Sequence, residues 1–449
     1  MNDVPPPVGE PTPSSSPSSG ASATASATAG SPPPARRAAM SFILVTVLID
    51  MLSIGLIVPV LPALIGKFSV DAAEQAYWVG VVFMSFSLAS FIGAPVLSAL
   101  SDRYGRRPLL LLGFSGLALN FFATALATSL WMLIASRIVG GMMQANAAVA
   151  QAYVADITPP EQRTKRFGLL GAMFGIGFIL GPAMGGILGD IDLHLPFFAA
   201  GGLALLNLAY GYFVLPESLP PEQRRAVDWK QAHPVATLRQ LARLKGVGLL
   251  VGVLAAAALA QFTLYTIWVL YNTHRFGWGP AENGWSLFAV GIVAAFVQGF
   301  LLGRLLKRFS RERLVLMGLA SSFTTYVLWG LATEGWMMVA IVFANLLGGV
   351  VTAALQGIVS SAADAREQGQ TMGAISGLNS LAAVVAPLLA GPLMAMVSRL
   401  PPADWRVGTP YFFGAALLAA AWVMAWLHFR RTGTLRPAGV PPAPSAPTI

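Results

Sequence analysis

Few residues of this 449-residue chain could do chemistry, and they are unevenly placed. Asp102, Arg103, Arg106 and Arg107 crowd into six positions of the stretch LSALSDRYGRRPLLLLG, between two long apolar runs. Asp50 stands alone about ten residues into the first apolar run, and Arg137 is the only basic residue inside any run. Carboxylates and guanidinium groups in such settings can carry protons or close a gate by ion pairing. The four histidines (His194, His233, His274, His428) fall in loops or at the ends of runs. There is no cysteine, so disulfides and thiolate metal sites are excluded. The sequence holds no nucleophile–base set, metal-ligand cluster or phosphate-binding loop, which predicts no enzyme, no cofactor and no metal.

The elements that position these residues follow from composition. The chain is 55% apolar and 10% charged, whereas a soluble domain carries about 25% charge. Apolar runs of about 20 residues recur, each long enough to cross a hydrocarbon core of about 30 Å. They predict an all-α polytopic membrane protein with 12 transmembrane helices. The first six cover about 40–65, 77–100, 108–128, 131–154, 166–189 and 195–215. The second six cover about 247–271, 282–303, 313–332, 335–360, 370–397 and 409–429. Residues 1–39 and 431–449 read as disordered Pro/Ser/Ala-rich tails, with no basic n-region and apolar h-region of a cleaved signal. A bundle over 40–215, a connection over 216–246 and a bundle over 247–430 complete the division.

Basic residues set the direction. Of the 28, four (Lys67, Arg275, Arg399, Arg406) fall in outward loops and one, Arg137, inside a span; the other 23 lie on the side of the termini. Both termini are therefore expected in the cytoplasm, and the net charge of +9 reads as topology and contact with anionic headgroups, not nucleic acid. The halves also echo each other. Leu97–Gly113 shifted by 205 positions overlays LGRLLKRFSRERLVLMG, Leu302–Gly318, without a gap. Two such loops at the same place in two six-helix halves predict a parallel repeat that rocks about a central site.

A carboxylate at mid-membrane costs about 2.5–3.5 kcal/mol on insertion scales, which makes Asp50 a functional candidate by default. The alternative is a neutral Asp bonded to backbone. Arg137 lies about 9 Å from the outer end of its span, and a snorkelling anchor is its bland reading. Arg106 and Arg107 fit topology enforcement equally well, whereas Asp102 does not, because acidic residues contribute little to orientation. Gly105 permits a tight turn. Gly177, Gly181, Gly185 and Gly186 recur at helical spacing around Pro182 and predict close packing and a bend at an inter-half contact. Asp156 and TPPEQ read as the end of helix four and a short surface helix with Thr158 as its cap. The second half has no charge in mid-span; Gln298 and Gln356 are its best cavity candidates, and Trp268 and Tyr271 read as interface-belt aromatics.

These stretches together resemble the major facilitator superfamily, and within it the twelve-helix drug/proton antiporters of the tetracycline resistance group. The loop matches G-x-x-x-D-R-x-G-R-R except that Ser98 stands where glycine is usual. LIDMLSIGLIVPVLP (Leu48–Pro62) is similar to the first-helix signature, and GIGFILGPAMGGILGD (Gly175–Asp190) to the antiporter helix motif. YNTHRFGW (Tyr271–Trp278) resembles the same region of the tetracycline group. The resemblance implies proton coupling through Asp50 and Arg137, with pairing of the two conceivable. It also implies a cytoplasmic gate of Asp102, Arg103, Gly105, Arg106 and Arg107, in which Asp102 latches the start of helix eleven near Gly369–Thr371 when the cavity faces outward. Ser98 implies a looser gate. Cavity candidates carried over from the resemblance are Asn120, Gln298, Ser322 and Gln356. The polar residues expected of a tetracycline antiporter become Ser90, Asn120, Ala294 and Ser322, so a metal–tetracycline chelate loses most of its partners. The expectation is a monomeric exporter in a bacterial inner membrane that trades protons for an amphipathic small molecule. An uncoupled facilitator or proton symporter of a metabolite would instead show flux without a pH gradient. A transporter-like receptor or scaffold would fit a degraded gate, but Asp102, Arg103 and Arg106 are intact.

Overall fold

The computed structural model describes residues 34–224, 248–362 and 368–433. Most of both expected tails and of the 216–246 connection lies outside these residues, and so does the side chain of Gln370 in the stretch Gly369–Thr371 expected to receive Asp102. The first half comprises α1 (Pro34–Ile57), α2 (Leu61–Gly66), α3 (Ala72–Tyr104), α4 (Arg106–Ala125), α5 (Leu130–Met142), α6 (Asn146–Ile157), α7 (Arg163–Ile191) and α8 (Leu195–Val214). The second comprises α9 (Gly248–Phe276), α10 (Pro280–Phe296), α11 (Leu302–Arg308), α12 (Arg311–Leu331), α13 (Gly335–Ala344), α14 (Val351–Ala362), α15 (Gln368–Val397) and α16 (Thr409–Arg431). A π-turn, Val297–Leu301, joins α10 to α11. No strand occurs among the described residues.

Ten of these helical stretches are long and apolar enough to cross a membrane, eleven if the pair Gly335–Ala344 and Gly348–Ser360, bent by 53°, forms one span. The twelfth expected span, 131–154, is divided at Met143–Ala145 into α5 and α6. The two divided helices are counterparts. Arg106 and Arg311, Leu130 and Gly335, and Asn146 and Val351 each begin matching helices 205 positions apart. The register of one loop thus extends through three helices and an interruption in each half.

Local chemistry explains the boundaries. Asp71 accepts from the Glu74 amide at 2.7 Å while the Glu74 carboxylate accepts from the Val70 amide, closing the start of α3. Ser129 and Ser310 cap α5 and α12 in the same way. Gly105 separates α3 from α4 at φ +105°, a conformation other residues rarely adopt.

Each half is tied at the end opposite the arginine-rich loops. In the first half His194 contacts the Ala125 carbonyl at 2.7 Å and the Lys67 ammonium at 3.1 Å. In the second, Arg275 donates to the carbonyls of Ala332 (3.1 Å), Asp404 (2.9 Å) and Pro402, and His274 contacts the Leu400 carbonyl. Asp404 is held below the usual carboxylate range by hydrogen bonds from Arg406. Since bonds from a charged donor contribute about 1.5–3 kcal/mol each, Arg275→Ala should lower the thermal midpoint of the purified protein by several degrees. An unchanged midpoint would show that this brace is idle.

Trp268 and Tyr271 are not belt residues. Both are buried: Trp268 donates to Ser286 at 3.0 Å and Tyr271 to the Trp329 carbonyl at 3.0 Å. With Tyr326, Trp329 and Tyr411 they form an edge-to-face aromatic core of the second half. The polar tips of Trp268, Tyr271, Tyr326 and Trp329 each find a partner inside the bundle, and that is what permits their burial.

The halves meet along two main seams, α3 on α15 and α7 on α10. Both are tight at the end opposite the arginine-rich loops. A Cβ on Gly80 would lie 2.8 Å from the Pro387 carbonyl oxygen, and one on Gly284 would lie 2.5 Å from the Pro182 carbonyl oxygen and 2.9 Å from Gly186 Cα. Toward the arginine-rich end, Gly168, Gly171 and Gly175 of α7, Gly299 and Gly303 on the α10–α11 side and Gly373 of α15 have nothing within 4 Å of such a Cβ. The seams are tight at one end, and the glycines toward the other have room around them.

Candidate functional site

Thr46, Asp50 and Ser53 recur at helical spacing on α1, and each is buried. Asp50, 4% exposed, faces the interior of its own half. Asn146, the first residue of α6, donates from its amide nitrogen to an Asp50 carboxylate oxygen at 3.3 Å. The amide oxygen of Asn146 lies against Gly113 on α4, where a Cβ would collide with it. One turn from Asp50 toward the start of α1, Asn207 of α8 donates to the Thr46 carbonyl at 3.1 Å. The interruption at Met143–Ala145 is what starts a new helix at Asn146 and presents it to α1.

Arg137 does not pair with Asp50. It is 3% exposed and donates to the Thr124 hydroxyl of α4 at 2.9 Å, and that hydroxyl also meets Ser136 at 3.1 Å. No carboxylate lies within ion-pair reach of Arg137 among the described residues. Its position inside the α4–α5 contact also excludes a side chain reaching the bilayer surface. Asn120, one turn before Thr124, packs its amide against Gly140 and is enclosed in the same contact.

The loop between α3 and α4 is a connected cluster. Arg106, 8% exposed, reaches Asp102 at 2.6 Å, Ser101 at 2.6 Å and Asp156 at 3.1 Å. It is a buried hub, more than a topology signal. Asp156, read from sequence only as a helix end, also accepts from Ser218 at 3.1 Å. Glu217 accepts from the backbone amides of Arg106 (2.8 Å) and Arg107 (3.2 Å), and so caps α4 from 110 positions away in sequence. Arg107 donates to the last-turn carbonyl of Tyr212 on α8 at 2.6 Å. Arg103 is exposed and lies over Tyr104. The Ser98 carbonyl accepts from Ser101. A cavity of about 660 Å³ opens beside the cluster, bounded by Asp102, Arg106, Asp156, Glu222 and Arg224. A lost cap costs about 0.5–2 kcal/mol. Glu217→Ala should therefore lower the thermal midpoint and speed tryptic cleavage after Arg106; unchanged cleavage would deny the cap its role.

The antiporter-like glycine stripe divides its work. Gly177, Gly181 and Gly185 face α1 of the same half, with Gly181 Cα 2.8 Å from a Cβ placed on Gly55. Gly186 and the Pro182 carbonyl face Gly284 of α10, across the seam. Only part of the expected inter-half contact is therefore made by the stripe.

The remaining cavity candidates are scattered. Gln298 is exposed on the π-turn, and Gln356 is half-buried on α14. Ser322 lies with Asn345 against Gly348 at the interruption of the second half. Asn146, Asp156 and Glu217 escaped the sequence reading; the interruption that exposes Asn146 carries no proline, the usual signal.

A polytopic helical protein of two repeated halves, with one buried acid among the described residues, is a secondary transporter. Comparison with known proteins gives the same class. The Major Facilitator Superfamily profile matches residues 43–333 and again 250–448. The class C tetracycline resistance protein of Escherichia coli is 38% identical over 379 residues, 84% of this chain and 94% of the relative. The class D protein of Salmonella ordonez is 37% identical over 83% of this chain and 93% of that protein. A bacterial homologue of the human lysosomal transporter Spinster, solved inward-facing and unoccupied, shares the fold with a TM-score of 0.73 at 17% identity, covering 92% of this chain and 100% of that one. The chain belongs to the major facilitator superfamily, on the side of its tetracycline-resistance-like drug exporters. It is a multi-pass membrane transporter, not an enzyme.

Proposed function

We propose that this transporter sits in a bacterial inner membrane with its arginine-rich loops and both termini in the cytoplasm, works as a monomer, and exports an amphipathic small molecule as protons enter through Asp50. The state described is then the one open to the cytoplasm. The observation that carries the coupling is the burial of Asp50 inside the first half, where the second half has no mid-span acid. A single carboxylate that gains and loses a proton serves one proton per cycle. Asp102, Arg103, Gly105, Arg106 and Arg107 form the cytoplasmic gate around the Arg106 hub, and Arg137 supports coupling from the α4–α5 contact. Asn120, enclosed in a helix contact, fits packing better than substrate binding, which leaves Gln298, Ser322 and Gln356 for the cavity. The relatives are tetracycline resistance proteins, yet Ala294 and Ser322 offer little to a metal chelate. The proposed substrates are amphipathic organic molecules in general.

The test is substrate-induced proton movement in everted vesicles holding an imposed pH gradient. Ethidium, tetraphenylphosphonium, chloramphenicol and tetracycline with magnesium are added in turn. Collapse of the gradient by one of the first three is expected; a response to magnesium–tetracycline alone would overturn the proposed substrate class.

A further inference from the structure

We infer that Asn146 is the positioning residue of the proton site: it holds Asp50 by hydrogen bond from the start of α6, so that protonation of the carboxyl is felt by the second piece of helix four. The inference rests on Asp50 being the coupling residue, and adds a group that adjusts its proton affinity and transmits its state.

Three observations converge on Asn146. It is 4% exposed, and its amide nitrogen reaches Asp50 at 3.3 Å while its amide oxygen is wedged against Gly113. The ionised carboxylate, which only accepts, fixes which end of the amide faces it: nitrogen toward Asp50, oxygen toward α4. Second, Asn146 opens a twelve-residue helix at an interruption of the fourth span. Asp50 therefore lies beside a helix start, which carries partial positive charge. Broken helices with such ends are a recurrent way to hold charge within a membrane. Third, the interruption recurs in the second half but the pair does not. The positions 205 residues after Asp50 and Asn146 are Ala255 and Val351, both apolar. The interruption is common to both halves, and only the one beside a carboxylate carries an amide donor at this place.

The surroundings leave Asn146 without a competitor. The elements packed on α1 are chiefly α7, α8 and α6. Their charged or titratable groups are Arg163, Lys165, Arg166 and Asp190 on α7, Tyr210 and Tyr212 on α8, and Tyr153 and Asp156 on α6. Tyr210 stacks on Phe42, Tyr153 donates to the Pro216 carbonyl and Asp156 serves Arg106. Arg36 and Arg37 are more than three turns away on α1 itself. Nearby on the first half, Arg137 is bonded to Thr124 and Arg106 to the loop cluster. Asn146 is the polar side chain at Asp50.

The consequence has a definite sign. An amide N–H donated to a carboxylate favours its ionised form. Loss of the donor lets the carboxyl keep its proton to higher pH. Protonation weakens the same bond, which frees α6 from α1, and α6 leads directly into the gate acid Asp156.

The experiment is a pH titration of the protonated-carboxyl stretch by infrared difference spectroscopy on the purified full chain in lipid, which requires no transport substrate. Asp50→Asn identifies the band. Asn146→Ala should move its midpoint upward by about one pH unit, and Asn146→Ser, which keeps a donor, should recover part of the move. Asn146→Asp, which keeps the volume and carries the test if the alanine variant fails to fold, should also move the band upward and add a second one. An unmoved midpoint in Asn146→Ala, or in Asn146→Asp where alanine fails, with the band still absent from Asp50→Asn, overturns the role of Asn146 and leaves Asp50 in place. No band lost in Asp50→Asn over the working pH range overturns Asp50 as the proton site and this inference with it.

Discussion

Replacing Asp50 by Asn is expected to abolish substrate-driven proton movement while leaving the protein folded and inserted. Asparagine keeps the size of the side chain and can still meet Asn146, so packing of α1 against α6 and α7 survives. What it cannot do is change charge. The other charged groups of the first half are committed elsewhere or lie at helix ends: Arg137 to Thr124, Arg106 to Asp102 and Asp156. No second acid is buried in the interior of a span among the described residues. The expected drop in coupled exchange is therefore to background, and substrate equilibration without a pH gradient should persist. Full proton exchange in Asp50→Asn would move coupling to another residue.

The second large effect is expected at the seam between α7 and α10. Gly284→Val adds three carbons where a single Cβ already meets the Pro182 carbonyl oxygen at 2.5 Å and Gly186 Cα at 2.9 Å. Two helix backbones pressed together cannot rearrange as a flexible side chain would. The tight end must open, and the closed state seen here is lost. Turnover should fall to background. Because the natural chain has no cysteine, Ala281→Cys can serve as a single reporter that becomes open to an impermeant maleimide from the face opposite the arginine-rich loops. Gly175→Ala is the comparison, since nothing lies within 4 Å of that position. It should keep transport and gain helix stability of about 1 kcal/mol. Equal transport in Gly284→Val and the wild type would show that this seam does not close during the cycle.

The sequence made the fold legible because membrane insertion writes it in long apolar runs and in the placement of 28 basic residues. The loop at Asp102–Arg107 announced the repeat, and the same 205-residue register recurs at the starts of α12, α13 and α14. Asp50 was legible from its solitude. Its partner was not, because Asn146 is 96 positions away and matters only through an interruption that no proline marks. Glu217 and Asp156 escaped for a similar reason: each meets Arg106 only after helices three, four and six are packed side by side. Trp268 and Tyr271 have the amphipathic character of belt residues, and only the Ser286 hydroxyl and Trp329 carbonyl within reach explain their burial. Charge solitude and apolar length travel well from sequence to structure. Pairings that depend on where a helix breaks do not.

A proton gradient is expected to drive this protein to move a small molecule uphill. The most direct measurement uses the purified chain in proteoliposomes, with a responding amphipathic compound at equal concentration on both sides and a pH gradient imposed across the membrane. Net accumulation of the compound on the more acidic side is expected, lost on adding a protonophore and absent with Asp50→Asn. Movement toward equal concentrations that ignores the gradient would contradict it and leave an uncoupled facilitator.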